Sequence, residues 1–152
     1  MNFRISPPVF RSEFKSEQSR ITSTVAEAAV WLRKTVPDED AVQNCEIVLA
    51  EALNNVVEHA YKYQPDKDIA LELQQTEASI EIFIKDSGDQ FPGVPQKKPL
   101  DPLTLDLEDL PEGGFGWMMI QALTKDIYYS YTDGKNSLQL SIAVNSNADS
   151  NH

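Results

Sequence analysis

The chain holds one cysteine in 152 residues, so no internal disulfide can form. Cys45 sits in an apolar periodic stretch, which suits core packing in a reducing compartment. Basic residues are scarce: 13 Lys and Arg stand against 24 Asp and Glu, a net charge of −11. Such a field repels phosphate backbones and anionic lipid, which argues against direct binding to nucleic acid or a membrane surface. It leaves room for a basic protein partner, or for a nucleotide held through Mg²⁺ and backbone amides. Long apolar runs are missing as well; no window approaches the roughly 18 residues of a membrane span. The start, MNFRISPPVF, lacks the basic stretch and apolar run of a signal peptide, so a cytoplasmic protein is expected. No internal repeat and no second domain show in the sequence, and 1–152 reads as one domain with an ordinary globular composition.

What is present is organised around Glu46 to Tyr61, EIVLAEALNNVVEHAY. Val42, Cys45, Leu49, Ala52, Leu53, Val56 and Ala60 recur at steps of three and four, the period of a buried helix face. Glu51, Asn55 and His59 form a polar stripe beside it, each four residues from the last. Taken alone, such a stripe is more often a solvated face than a site. A carboxylate and a carboxamide one turn apart nevertheless hold a proton acceptor and an oxygen ligand for Mg²⁺ at fixed separation.

Around this helix the pattern predicts a strand at Val9 to Lys15, placed at a sheet edge by Pro7 and Pro8, and a helix from Glu17 to Lys34 stopped by Pro37. Asp38 or Asp40 caps the organising helix, which is expected to run to about Tyr63, before Pro65. Ile69 to Gln74 and Ser79 to Lys85 alternate as a pair of strands. From Asp89 to Gly113 five of the nine prolines fall in a stretch without period, long enough to be a functional loop. Val94 to Leu110 within it suggests a short helix. Phe115 to Leu123 reads as a helix, and Ile127 to Tyr131 with Ser137 to Val144 as a hairpin around Asp133 to Asn136. The tail, about 145–152, is polar and expected to fray. This order implies an α+β fold, a two-layer sandwich with helices on one face of a mostly antiparallel, mixed sheet. Trp31, Trp117, Tyr128, Tyr129 and Tyr131 are expected in the core rather than at an interface.

Three pieces carry chemistry together: Glu51-x-x-x-Asn55 on a helix, Asp86-x-Gly88 at a strand end, and Gly113-Gly114-Phe115-Gly116 opening a helix. Either glycine cluster alone is more often a plain turn or helix start. In this order they suit a nucleotide. Glycines before a helix let backbone N–H groups approach an anion, and the helix N-terminus favours negative charge. Asp86 can accept from an exocyclic amine, with Gly88 leaving room for a flat base. Asn55 can offer its oxygen to Mg²⁺, and Glu51 can take a proton from an attacking hydroxyl or water.

These three boxes resemble the N, G1 and G2 boxes of the superfamily of ATPases that holds DNA gyrase, ninety-kilodalton heat-shock chaperones, sensor histidine kinases and mismatch-repair ATPases. EALNNVVEHAY and GGFGWMMIQAL are most similar to its smallest branch, the bacterial anti-sigma regulatory factors that are serine/threonine protein kinases. The resemblance covers about Ser12 to Val144. It implies a Bergerat-type sandwich binding ATP and Mg²⁺, with Glu51 as catalytic base, Asn55 as metal ligand and Asp86 as the adenine contact. Gly88, Gly114, Phe115 and Gly116 fall in the nucleotide loops, 89–113 in the lid, and Ser141 at a hydroxyl near the adenine. His59 fits the helix pattern and is expected to support structure. The resemblance also implies partners: a sigma factor, and a small antagonist of the STAS fold that is phosphorylated on serine or threonine. Many relatives are dimers, and a homodimer stays open here.

Glu112 departs from the pattern, because some active kinases of the branch place a basic residue there; Lys97 or Lys98 are candidate substitutes. The departure bears on phosphoryl-transfer rate more than on nucleotide binding. A second reading is a non-catalytic, nucleotide-responsive module that sequesters a sigma factor or other regulator, with Leu100, Leu103, Leu105, Leu107 and Leu110 as a docking surface. A third is a detached histidine-kinase catalytic domain, which would phosphorylate a histidine in trans.

Overall fold

The computed structural model describes residues 8–94 and 115–145. Its elements follow in the order β1 (Val9–Lys15), α1 (Gln18–Thr35), α2 (Glu39–Asn55) with a π turn (Val56–Ala60), β2 (Asp68–Gln75), β3 (Ser79–Asp86), α3 (Phe115–Leu123), β4 (Asp126–Thr132) and β5 (Lys135–Ala143). The five strands form one sheet in the order β1-β2-β3-β5-β4. All four pairings are antiparallel, so the mixed component expected from the sequence is absent among the described residues. β1 takes the expected edge.

One face of the sheet is aliphatic because every second residue of the central strands is. Ile82 lies opposite Leu73 and Leu140, Ile84 opposite Leu71 and Leu138, and Ile80 opposite Ile142. The helices cover this face, and α2 supplies Val42, Cys45, Val48, Leu49, Ala52 and Leu53, all fully buried. Burial pushes the Cys45 thiol well above its ordinary range, consistent with an inert packing role.

α2 begins where Asp38 caps it: Asp38 Oδ1 accepts from the Ala41 N–H at 3.2 Å. Asp38 Oδ2 accepts from the Asn145 N–H at 2.8 Å, which ties the chain beyond β5 to the start of the helix. At its other end the helix widens into the π turn, and the Tyr61 N–H donates to the Val56 carbonyl at 2.9 Å, five residues back. The polar stripe is therefore regular at Glu51 and Asn55 and distorted at His59, whose Nε2 lies 3.0 Å from Glu58 Oε2 without hydrogen-bond alignment.

The turn between β4 and β5 is tighter than the pattern suggests. Asp133 (φ 55°) and Gly134 (φ 74°) alone make it, with Thr132 paired to Lys135. Two left-handed residues match the twist of the strands, and Asp-Gly tolerates them. Of the aromatic residues expected in the core, Trp117 is buried, while Trp31 is half-buried against Phe10. Tyr129 packs on the core, whereas Tyr128 is 58% and Tyr131 39% exposed. The correction follows from topology, since β4 is an edge strand. The expected short helix at 94–110 falls almost wholly outside the described residues.

Candidate functional site

The inward face of β3 and β5 is aliphatic until its last pair, Asp86 opposite Asn136. Both side chains are buried, at 4% and 1% exposure. Asp86 Oδ1 accepts from the Gly88 N–H and from Asn136 Nδ2, each at 2.8 Å. Asp86 Oδ2 is buried with no partner. Burial raises the Asp86 carboxyl above the ordinary aspartate range, and the bonds from Asn136 and Gly88 oppose that rise. A buried acceptor left unanswered is costly and uncommon, so this oxygen marks a place for a donor.

Asn136 is held on both ends. Its Nδ2 also donates to the Asp89 carbonyl at 2.8 Å, and its Oδ1 accepts from the Tyr129 hydroxyl. The Tyr129 oxygen accepts in turn from the Phe91 N–H at 3.1 Å. Asn136 was missed as a site residue because it sits in what reads as a turn. The signal was its phase: it shares the inward parity of Leu138, Leu140 and Ile142.

Gly88 is also required by packing. A Cβ there would stand 2.4 Å from the Ala60 carbonyl oxygen and 2.8 Å from Ala60 Cβ. The same carbonyl accepts from the Asp89 N–H at 2.8 Å. The missing side chain thus lets the chain after β3 lie against the π turn. Tyr61 fixes this corner from below, its hydroxyl donating to the Asp68 carbonyl at 2.6 Å and accepting from the Ser87 N–H at 2.8 Å.

In the last turn of α2, just before the π turn, Glu51 and Asn55 meet α3. A Cβ on Gly116 would be 3.0 Å from Glu51 Oε1 and 3.7 Å from Asn55 Oδ1, so glycine permits this approach. Asn55 is 6% exposed and its Nδ2 has no partner. Glu51, Asn55 and Gly116 line a cleft of about 350 Å³ with Gln18, Asn54, Val57, Glu58 and Tyr63. The structure therefore gathers Glu51, Asn55 and Gly116 at one place and Asp86 and Gly88 at another, joined by the π turn. Phe115 opens α3. Gly113, Gly114, Glu112, Lys97 and Lys98 lie outside the described residues.

Ser141 does not join either group. It belongs to the outward parity of β5, opposite Glu81, and donates to Glu81 Oε1 at 2.5 Å. Burial pushes the Glu81 carboxyl up, but bonds from Ser141, Ser79 and Gln139 outweigh it and hold the group low. The expected place beside Asp86 is taken by Asn136, at the other end of the strand and on the other face. No group of three or more His, Cys, Asp or Glu that could hold a metal occurs among the described residues. A cation here would depend on Asn55 together with ligands from elsewhere. No helix is long and apolar enough to cross a membrane among the described residues.

The chain is similar to Serine-protein kinase RsbW of Listeria innocua, 30% identical over 97 residues that span 62% of each protein. RsbW of Bacillus subtilis is 28% identical over 90 residues, 58% of this chain and 56% of that one. The aligned part is thus less than two thirds of the relatives' own length. A crystal structure of the RsbU and RsbW domains of a Mycobacterium tuberculosis protein superimposes with a TM-score of 0.60 at 16% identity, over 90% of this chain and 32% of that one. That likeness concerns the fold. The model of the Histidine kinase-like ATPase domain matches residues 14–142. With nearly the whole chain inside that match, and its fold shared, the protein belongs to the histidine kinase-like ATPase domain family.

Proposed function

We propose that the chain binds ATP with Mg²⁺ and acts as a serine/threonine protein kinase on a partner protein, in an anti-sigma type of regulatory system. The observation that carries this reading is the buried, unpartnered Asp86 Oδ2, at the end of an otherwise aliphatic sheet face. An exocyclic amine is a donor that such an oxygen can accept from. At the other end, Asn55 can turn its amide oxygen toward a hard cation; the two ends of an amide exchange by rotation about one bond. A single protein ligand is enough for Mg²⁺, which keeps waters and phosphate oxygens as its other ligands.

Bound MgATP would supply an electrophilic phosphoryl group. The chain's own part is positioning and proton acceptance. Glu51 lines the cleft beside Asn55 on a rigid helix, which supports its role as acceptor of the proton from a substrate hydroxyl. Gly114, Phe115 and Gly116 are assigned to the phosphates by the resemblance, at the start of α3. The kinase reading is supported by the relatives named serine-protein kinase. The acceptor as a STAS-type antagonist, the sigma factor as second partner, and a homodimer rest on the resemblance.

The test is a calorimetric titration with ATP, with and without Mg²⁺. Binding should strengthen with Mg²⁺ in the wild type and lose that dependence in Asn55→Ala. Glu51→Gln should keep ATP affinity and lose transfer by about 100-fold or more. Absence of ATP binding would overturn the kinase and leave the sequestering module, to be pursued by pull-down without nucleotide.

A further inference from the structure

Two ends of the site are linked by contacts that the proposed chemistry does not use. Asp86 is bonded to Asn136, and Asn136 to the Tyr129 hydroxyl. That hydroxyl also holds the Phe91 N–H at 3.1 Å. The Phe91 ring, 4% exposed, lies 5.5 Å from the Tyr129 ring and meets the Trp117 ring edge-on at 6.0 Å. Trp117 follows Gly116, the residue whose backbone faces Glu51 and Asn55. The path runs from β3 through β5 and β4 to the chain after β3, then into α3.

We propose that Tyr129 is a positioning residue that couples occupancy of the Asp86 seat to the placement of α3. The argument is one of satisfaction and packing. Asp86 Oδ1 is already fully engaged, so a donor arriving at Oδ2 draws on a carboxylate whose position is fixed by Asn136. Asn136 in turn cannot shift without releasing the Tyr129 hydroxyl or the Asp89 carbonyl, both in a partly buried setting where lost bonds are costly. Phe91 moves with both, because its N–H and its ring are held by the same tyrosine. Trp117, buried against that ring, is the point at which α3 registers the change. Tyr129 touches neither Asp86 nor the cleft at Glu51 and Asn55, and acts only through its neighbours. This inference rests on the nucleotide reading above.

The experiment uses the full chain carrying Trp31→Phe, so that Trp117 is the sole tryptophan; Trp31 packs against Phe10, which is remote from this path. ATP affinity is measured by calorimetry and Trp117 emission is followed at saturating ATP, with and without Tyr129→Phe. The substitution keeps the ring and removes only the hydroxyl. The hydroxyl makes two part-buried hydrogen bonds, and affinity is expected to fall by about three- to tenfold as their loss loosens the Asp86 seat. The ATP-dependent change in Trp117 emission should be lost even when the variant is saturated. Phe91→Leu, which removes the ring between Tyr129 and Trp117, should abolish the emission change in the same way and serves if Tyr129→Phe fails to fold. A full emission response at saturation in either variant would overturn the coupling, whatever the affinity or the melting temperature. No calorimetric binding by the parent protein would instead overturn the nucleotide reading, and this inference with it.

Discussion

Asp86 joins burial to an unanswered oxygen, and the two properties set function against stability. Its pKa is raised by burial, so its contribution to folding is fully present below the unfolded carboxylate range and is lost as pH rises through the raised value. Asp86→Asn has no charge to bury. Its melting temperature relative to wild type should therefore climb as pH goes from acid to neutral, as scanning calorimetry at several pH values would read. The same substitution places a donor where an acceptor is needed, and ATP affinity should drop at least about tenfold. Gly88 carries a steric requirement: a methyl group 2.4 Å from the Ala60 carbonyl oxygen cannot be accommodated without moving the π turn. Gly88→Ala should cost about 2 kcal/mol or more in urea denaturation, in the range of overpacked sites. Asp86 and Gly88 were both legible as a motif, but the motif carries no hint that Gly88 serves Ala60.

α2 is the element on which the rest depends, and its local signals agree with its place in the fold. Asp38 caps it, its apolar stripe faces the sheet, and Glu51 and Asn55 stand one turn apart at its far end. Asp38→Ala removes both the cap and the acceptor for Asn145, and should lower stability by about 1–2 kcal/mol with the sheet intact, as a shift in urea midpoint without a change in slope. The π turn that follows was not legible. It forms where the Ala60 carbonyl is claimed by Asp89, nearly thirty residues later in the chain, and no local pattern of 56–60 records that partner. On β5 the alternation itself marks the site residue. Leu138, Leu140 and Ile142 define the inward phase, which includes Asn136 and excludes Ser141.

At the scale of the whole molecule, a net charge of −11 sets the long-range field. Self-repulsion should make the fold less stable at low ionic strength, so its melting temperature should rise as NaCl is increased from about 10 mM to about 150 mM, where the screening length shortens to about 8 Å. A fall over that range would mean that exposed pairs such as Arg33 with Glu39 and Glu46 outweigh the net field. The sequence by itself determined the strands and α-helices, the inward phase of each strand, the stripe of α2 and the order of the three boxes, because these follow from spacing along the chain. Only the tertiary structure decided that Asp86 meets Asn136 across 50 residues, that Gly88 yields to Ala60, and that β4 exposes Tyr128 at an edge. Those outcomes depend on which strands become neighbours and how closely a helix end approaches a loop, and both are set by the packing of the whole core.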